Sequence, residues 1–354
     1  MTRSIRAVVV LTAGALALTY AGSAFSALNP KLLISTTMQP GNSKTTIDAR
    51  VGTADDAVAR MQVFVPAGFK LDSPAGGVDV GTVTATAQSK QIGPGTEMPF
   101  KMVGKLTAIP VNDPAVSFEH ANCDPVTHAG AWMARVQGGG DSWSFVVFVD
   151  ATSGAEAQLG PYKLVACFKS VSGANMDPLG NKFTSVTLAL DKLTAPRTPG
   201  SYRWRSLWTP FAAGETSSTL NTAATVEAQS LVKISSSVLT IGGKRATKGK
   251  QVRITISGQL LVDAEPLGKA VLALRHGATR AKLGPLASVT TDAAGKFAKV
   301  VNLTGSQYFQ AGATLGGNDL GTAGCTASFG SAIPCVSATN GKVAVVSRLI
   351  HFAR

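Results

Sequence analysis

Thr82-Val83-Thr84-Ala85-Thr86-Ala87 sets a small or branched apolar residue at every second position with a threonine between. Side chains alternate sides of a β-strand with period two, so Val83, Ala85 and Ala87 share one face and the hydroxyls share the other. The same period recurs on both sides of this stretch. Upstream, Ile47, Ala49 and Val51 alternate with Asp48 and Arg50, and Met61, Val63 and Val65 follow. Downstream come residues 143–149, 162–168, 186–190, 202–208 and 226–232. Turn formers fill the gaps, as in Pro66-Ala-Gly68, Asp72-Ser-Pro74, Gly138-Gly-Gly-Asp141 and Asp177-Pro-Leu-Gly180. Helical spacing of apolar residues is not sustained over any comparable window, so the pattern predicts an all-β meander or Greek-key sandwich rather than a βαβ fold.

A second set of strands begins after Lys233. Val252, Ile254 and Ile256 alternate with Arg253, Thr255 and Ser257, and residues 271–274, 296–303 and 343–352 follow. About seven short strands in such a length match a small Ig-like sandwich. Ser235-Ser-Ser237 interrupts the pattern, so the chain divides into a large two-sheet β-sandwich over 27–232 and a smaller Ig-like sandwich over 233–354.

The 354 residues are 45% hydrophobic, mean hydropathy is +0.18, and Lys and Arg outnumber Asp and Glu by 33 to 20. That composition excludes bulk disorder, and its basic balance directs attention to an acidic partner. The excess is not spread evenly. Residues 27–232 hold 16 cations and 16 acids, whereas residues 233–354 hold 15 cations against Asp263, Glu265, Asp292 and Asp319, a net +11.

Arg3 and Arg6, the apolar run 7–19 and Ala24-Phe25-Ser26 form the three regions of a secretory signal peptide over 1–26. Export places Cys123, Cys167, Cys325 and Cys335 in an oxidising compartment, where an even count reads as two disulfides with three possible connectivities. Pairing 123 with 167 and 325 with 335 keeps each bridge within one domain; crossed pairings would join the two halves.

Gly258-Gln-Leu-Leu261, Pro266-Leu-Gly-Lys-Ala270-Val-Leu-Ala-Leu274 and Thr290-Thr-Asp-Ala-Ala-Gly295-Lys-Phe297 resemble bacterial Ig-like and carboxypeptidase-regulatory-like, or transthyretin-like, modules. The resemblance covers about 45 residues. It implies a sandwich fold and is almost silent on activity, because such modules serve as spacers, stalks and enzyme appendages. The remainder is similar only in general terms to secreted bacterial β-sandwich proteins. Asp292 to Gly295 also reads directly as a hairpin turn with glycine available for positive φ.

Two stretches are candidate binding sites. Tyr202, Trp204 and Trp208 fall on one face of a strand and Arg203, Arg205 and Leu207 on the other, an arrangement that suits either sugar stacking or core filling. Lys244, Arg245, Lys248, Lys250 and Arg253 concentrate five cations in a short turn-to-strand stretch that suits an anionic polymer. Without aromatics interleaved there, specific nucleic-acid readout is disfavoured. His120, Cys123 and His128 have ligand-like spacing and with Cys167 would make four zinc ligands, but paired thiols in an exported chain favour a disulfide and no metal. Ser230-Leu-Val-Lys233 has the Ser-x-x-Lys spacing without its partner motifs, and nucleophile-elbow, zincin and nucleotide-binding patterns are absent.

The sequence therefore reads as a secreted, extracellular or cell-wall-associated, non-catalytic binding or structural protein without cofactor and without a membrane span after signal cleavage. Its basic module would tether it to anionic cell-surface or extracellular polymer. The competing readings are a polysaccharide- or cell-wall-acting hydrolase with an Ig-like appendage, and a self-assembling surface-layer or adhesin shaft subunit.

Overall fold

The computed structural model describes residues 28–36, 44–72, 74, 76–89, 99–170, 180–196, 198–212, 219–249, 251–316, 324–326, 332–334 and 343–353. The signal-peptide segment 1–26 and the expected Cys325–Cys335 bridge lie outside the described residues. The fold is all-β. No helix among the described residues is long and apolar enough to cross a membrane.

Among the described residues, thirteen strands precede residue 235. They are β1 (Lys31–Thr36), β2 (Thr45–Arg50), β3 (Val58–Val65), β4 (Lys70–Leu71), β5 (Asp79–Ser89), β6 (Pro99–Ile109), β7 (Gly130–Gly138), β8 (Asp141–Ala151), β9 (Tyr162–Cys167), β10 (Asn181–Leu190), β11 (Leu193–Thr194), β12 (Gly200–Pro210) and β13 (Val226–Ile234). The short β4 and β11 pair with each other; the rest form one antiparallel sheet in the order β1-β2-β10-β5-β6-β7-β8-β9-β3-β12-β13. The two layers expected from the sequence are thus facing stretches of one continuous sheet. It coils far enough for its edge strands to meet, where the Ile34 amide donates to Ser230 Oγ at 3.3 Å.

The period-two pattern fills the inside of this coil. Val83, Ala85 and Ala87 on β5, Trp132, Ala134 and Val136 on β7, and Phe145, Val147 and Val149 on β8 all belong to one buried core. On β6, Gly104 occupies the inward row between Met102 and Leu106, and a Cβ there would meet the Arg135 carbonyl oxygen at 1.7 Å. Glycine is what lets β6 and β7 approach. The outer face is mostly polar, and its largest apolar area lies over β7, β8 and β9. There Met133, Val146, Phe148 and Val165 form a satellite core. A short 3-10 turn (Pro114–Val116) and helix α1 (Ser117–Asn122) precede Cys123, and Val116 and Cys123 belong to that satellite core. Cys123 is disulfide-bonded to Cys167, with Cα atoms 6.0 Å apart.

Twelve further strands follow: β14 (Ser237–Leu239), β15 (Gly242–Lys248), β16 (Gln251–Val262), β17 (Glu265–Pro266), β18 (Val271–Thr279), β19 (Lys282–Thr290), β20 (Lys296–Asn302), β21 (Gln307–Leu315), β22 (Gly324–Thr326), β23 (Ala332–Pro334), β24 (Val343–Val346) and β25 (Ile350–Phe352). One sheet joins β14, β15, β17 and β20 to the long β16; the other runs β19-β18-β21-β24, with β25 also on β21. Ile254 and Ile256 from the first meet Leu272, Leu274 and Phe309 from the second in a separate core. Ten strands build the two sheets where spacing suggests about seven, because segments of two or three residues are too short to display alternation. The expected turn before β20 is present: Gly295 has φ 68°, its amide donates to the Asp292 carbonyl at 2.9 Å, and Asp292 Oδ1 accepts from the amides of Ala294 and Lys296.

Trp204 lies wholly inside the first core against the edge of Phe69, ring centroids 4.9 Å apart. Trp204→Ala is expected to cost about 3–5 kcal/mol, as large aromatic truncations in packed cores do. Its indole Nε1 has no hydrogen-bond partner among the described residues, so Trp204→Phe removes a buried donor with it and costs less. Chemical denaturation of the two variants checks the order.

Candidate functional site

On β12 the structure divides the aromatic stretch by face, as the alternation requires, and the inward face is closed to solvent. Trp204 is 0% and Trp208 3% exposed, and Trp208 Nε1 donates to Ser206 Oγ at 2.7 Å. Tyr202 packs edge-on against Phe69 and donates its hydroxyl to the Thr198 carbonyl. On the outward face Arg203 is exposed and Arg205 lies 3.8 Å from Glu227. The two tryptophans are therefore core residues, and the row of stacking aromatics considered from sequence is not presented to a ligand. Ser230, the serine of the Ser-x-x-Lys spacing, is buried on β13 with its Oγ accepting from the opposite sheet edge.

The histidine cluster also resolves differently from a zinc site. Both cysteines are consumed in the disulfide. His128, which the sequence grouped with His120, has Asp150 as its partner: Nδ1 lies 2.9 Å from Asp150 Oδ2, and Nε2 lies 2.9 Å from the Asp124 carbonyl. Its ring stacks on Phe148 at 3.7 Å. Asp150 Oδ1 accepts from the Ala129 amide, and Asp124 Oδ1 pairs with Arg60 Nη1 at 3.2 Å. Asp124, His128 and Asp150 lie close enough to share one cation. Their facing atoms are nevertheless spent on one another, on Arg60 and on the backbone, except Asp124 Oδ2, which is buried without a partner among the described residues. This network ties the segment after α1 to β8 and β3. With an acceptor facing each ring nitrogen, neither is free to act as a base toward a ligand.

The cations of the second sandwich are arranged quite differently from those of the first. In the first, Lys44, Arg50, Arg60, Lys105, Lys163 and Arg205 each have a carboxylate within ion-pair distance. In the second, Lys244, Arg245, Arg253, Lys269, Arg275, Arg280, Lys282, Lys296, Lys299 and Arg348 are all exposed, and among the described residues none has such a partner. Two of the few acids accept from the backbone: Asp263 from the Ser236 amide, and Asp292 in closing the Gly295 turn. Register splits the five-cation stretch. Lys244 opposite Thr255 and Arg253 opposite Ala246 lie on the solvent face of their sheet, whereas Arg245 sits in the alternate row and donates to the Ala353 carbonyl at 3.1 Å. Lys250 and the Lys248 side chain lie outside the described residues.

That hydrogen bond leads to a feature the sequence did not reveal. Ala353 follows β25, on which His351 pairs with Tyr308 of β21. The two rings stack with centroids 4.4 Å apart, and the Arg280 guanidinium lies 5.6 Å from the Tyr308 centroid. These residues are scattered along the chain, so only strand register brings them together.

Two open clefts were tested for catalytic pairs. One, of about 570 Å³ on the outside of β6 to β8, is lined by Lys105, Arg135, Gln137, Ser142 and Trp143 among others, with no acid. The other, about 630 Å³ beside β16 and β20, has Asp292 as its one acid. A glycosidase needs two carboxyl groups about 5–9.5 Å apart across the scissile bond, which neither cleft supplies. The sequence matches no protein-family model and none of the curated proteins.

Burial alone would depress the His128 pKa, but the hydrogen bond and charge of Asp150, aided by Asp124, outweigh it and hold it above its ordinary value of 6.5. A histidine raised on folding contributes stability fully below its unfolded pKa and loses it as pH rises through the folded value. Burial likewise raises the Glu119 carboxyl in α1, which favours the same acid side. His128→Gln is therefore expected to lower Tm more at pH 5.5 than at pH 9, as thermal unfolding at the two values would show.

Proposed function

We propose that the chain is an exported, non-catalytic binding protein held on anionic cell-surface or extracellular polymer by its second sandwich. What supports this is the contrast in charge pairing. Ten exposed cations of that sandwich have no carboxylate partner among the described residues, while cations of the first sandwich are repeatedly ion-paired. Unpaired like charges repel one another and raise the free energy of the isolated surface, so a polyanion that bridges them lowers it. The resemblance of residues 258–297 to Ig-like and transthyretin-like modules fits an accessory domain that positions its bearer. The first sandwich contributes a rigid, nearly neutral body.

Surface charge pairing of this kind is screened within about 8–10 Å at physiological salt. The full chain is expected to be retained on a purified anionic wall polymer at low salt and released steeply between about 50 and 200 mM. A Lys244→Glu/Arg253→Glu double variant should bind at least about tenfold more weakly at the low-salt end. Retention indifferent to salt would contradict the proposal.

A further inference from the structure

On the outer face of the second sheet, Val271, Ala273, Gly312 and Val346 make a low, uncharged floor, with Val271 64% and Val346 65% exposed. Two residues further along β18, Arg275 stands exposed opposite Gln310, and two beyond that Gly277 faces Tyr308. The floor thus ends at Arg275 and then at the Arg280–Tyr308–His351 stack. Arg280 caps Tyr308, His351 covers it from the neighbouring strand, and His351 itself is exposed. Arg275 and Gln310 stand in the row between floor and stack.

From this arrangement we infer that the face is a binding site for an anionic glycan, with a pyranose ring seated on His351 over Tyr308 and ring carboxylates engaged by Arg280 and Arg275. Ring C–H bonds pack well against an aromatic face, and guanidinium matches carboxylate geometry with two parallel hydrogen bonds. Short, exposed hydroxyl side chains border the floor, Ser288 and Thr290 on β19 and Thr314 on β21. A single-stranded nucleic acid is a poorer match, because such platforms stack successive bases on several aromatics, and this face has one stack. The inference rests on the tethering proposal and names its ligand class.

The test uses the full chain with three probes at equal low salt: polygalacturonate, a polycarboxylate made of rings; inorganic polyphosphate, a polyanion without rings; and single-stranded DNA. His351→Ala is expected to weaken polygalacturonate binding about fivefold, a typical loss for one aromatic contact, while leaving polyphosphate binding unchanged. His351→Phe keeps a ring and should restore the loss. Arg275→Ala and Arg280→Ala should weaken both polyanions. If His351→Ala affects both equally or neither, or if DNA binds more tightly than polygalacturonate, the glycan site is wrong although charge-driven tethering stands. If the unaltered chain binds none of the three at low salt, tethering fails and this inference with it.

Discussion

An open antiparallel sheet leaves a row of unpaired amides and carbonyls at each edge, and eleven strands cannot lie flat without exposing an apolar face. The first sandwich meets the second demand by coiling until β1 and β13 approach each other at Ile34 and Ser230, where a side-chain hydroxyl rather than a backbone ladder links the two edges. The buried core of this part of the chain lies inside that coil. The coiling sends Trp132, Trp204 and Trp208 inward and leaves an outer face that is mostly polar. Where the outer face is apolar, over β7 to β9, the chain adds α1 and fastens the region with a disulfide and the His128–Asp150 contact.

The two sandwiches use charge in opposite ways. On the first, six cations are matched by neighbouring acids, as Lys105 is by Asp79 across two strands, while Lys31, Lys70, Lys101, Arg135 and Arg203 are exposed without such a partner among the described residues. Exposed pairs of this kind contribute little, about 0–1 kcal/mol each. On the second, ten exposed cations have no carboxylate partner among the described residues. Stability gains nothing from that arrangement, and the proposed tethering rests on it.

Strands with one buried face were legible in the sequence because alternation is visible in residues such as 82–87. β7 was harder to see: its outward Ala131 and Met133 are buried beneath α1, so both faces read as apolar. The six residues of α1 are too few to show helical spacing. The division of charge at residue 233 was legible from counting alone. The contacts that give sites their chemistry were not, since they follow from register and packing rather than spacing. His128 meets Asp150 across 22 positions, and Tyr308 meets His351 only because β21 and β25 pair. Conversely, Trp204 and Trp208 looked ligand-like because period two reveals which residues share a face without revealing which face is inside.

The central claim is that polyanion contacts fall on the second sandwich and not on the first. Carbodiimide cross-linking of the full chain to a carboxylate polymer, followed by mass-spectrometric mapping of the modified lysines, tests it most directly. The account predicts cross-links at Lys244, Lys269, Lys282, Lys296 and Lys299. Cross-links concentrated instead at Lys31, Lys44, Lys70 and Lys101 would contradict it.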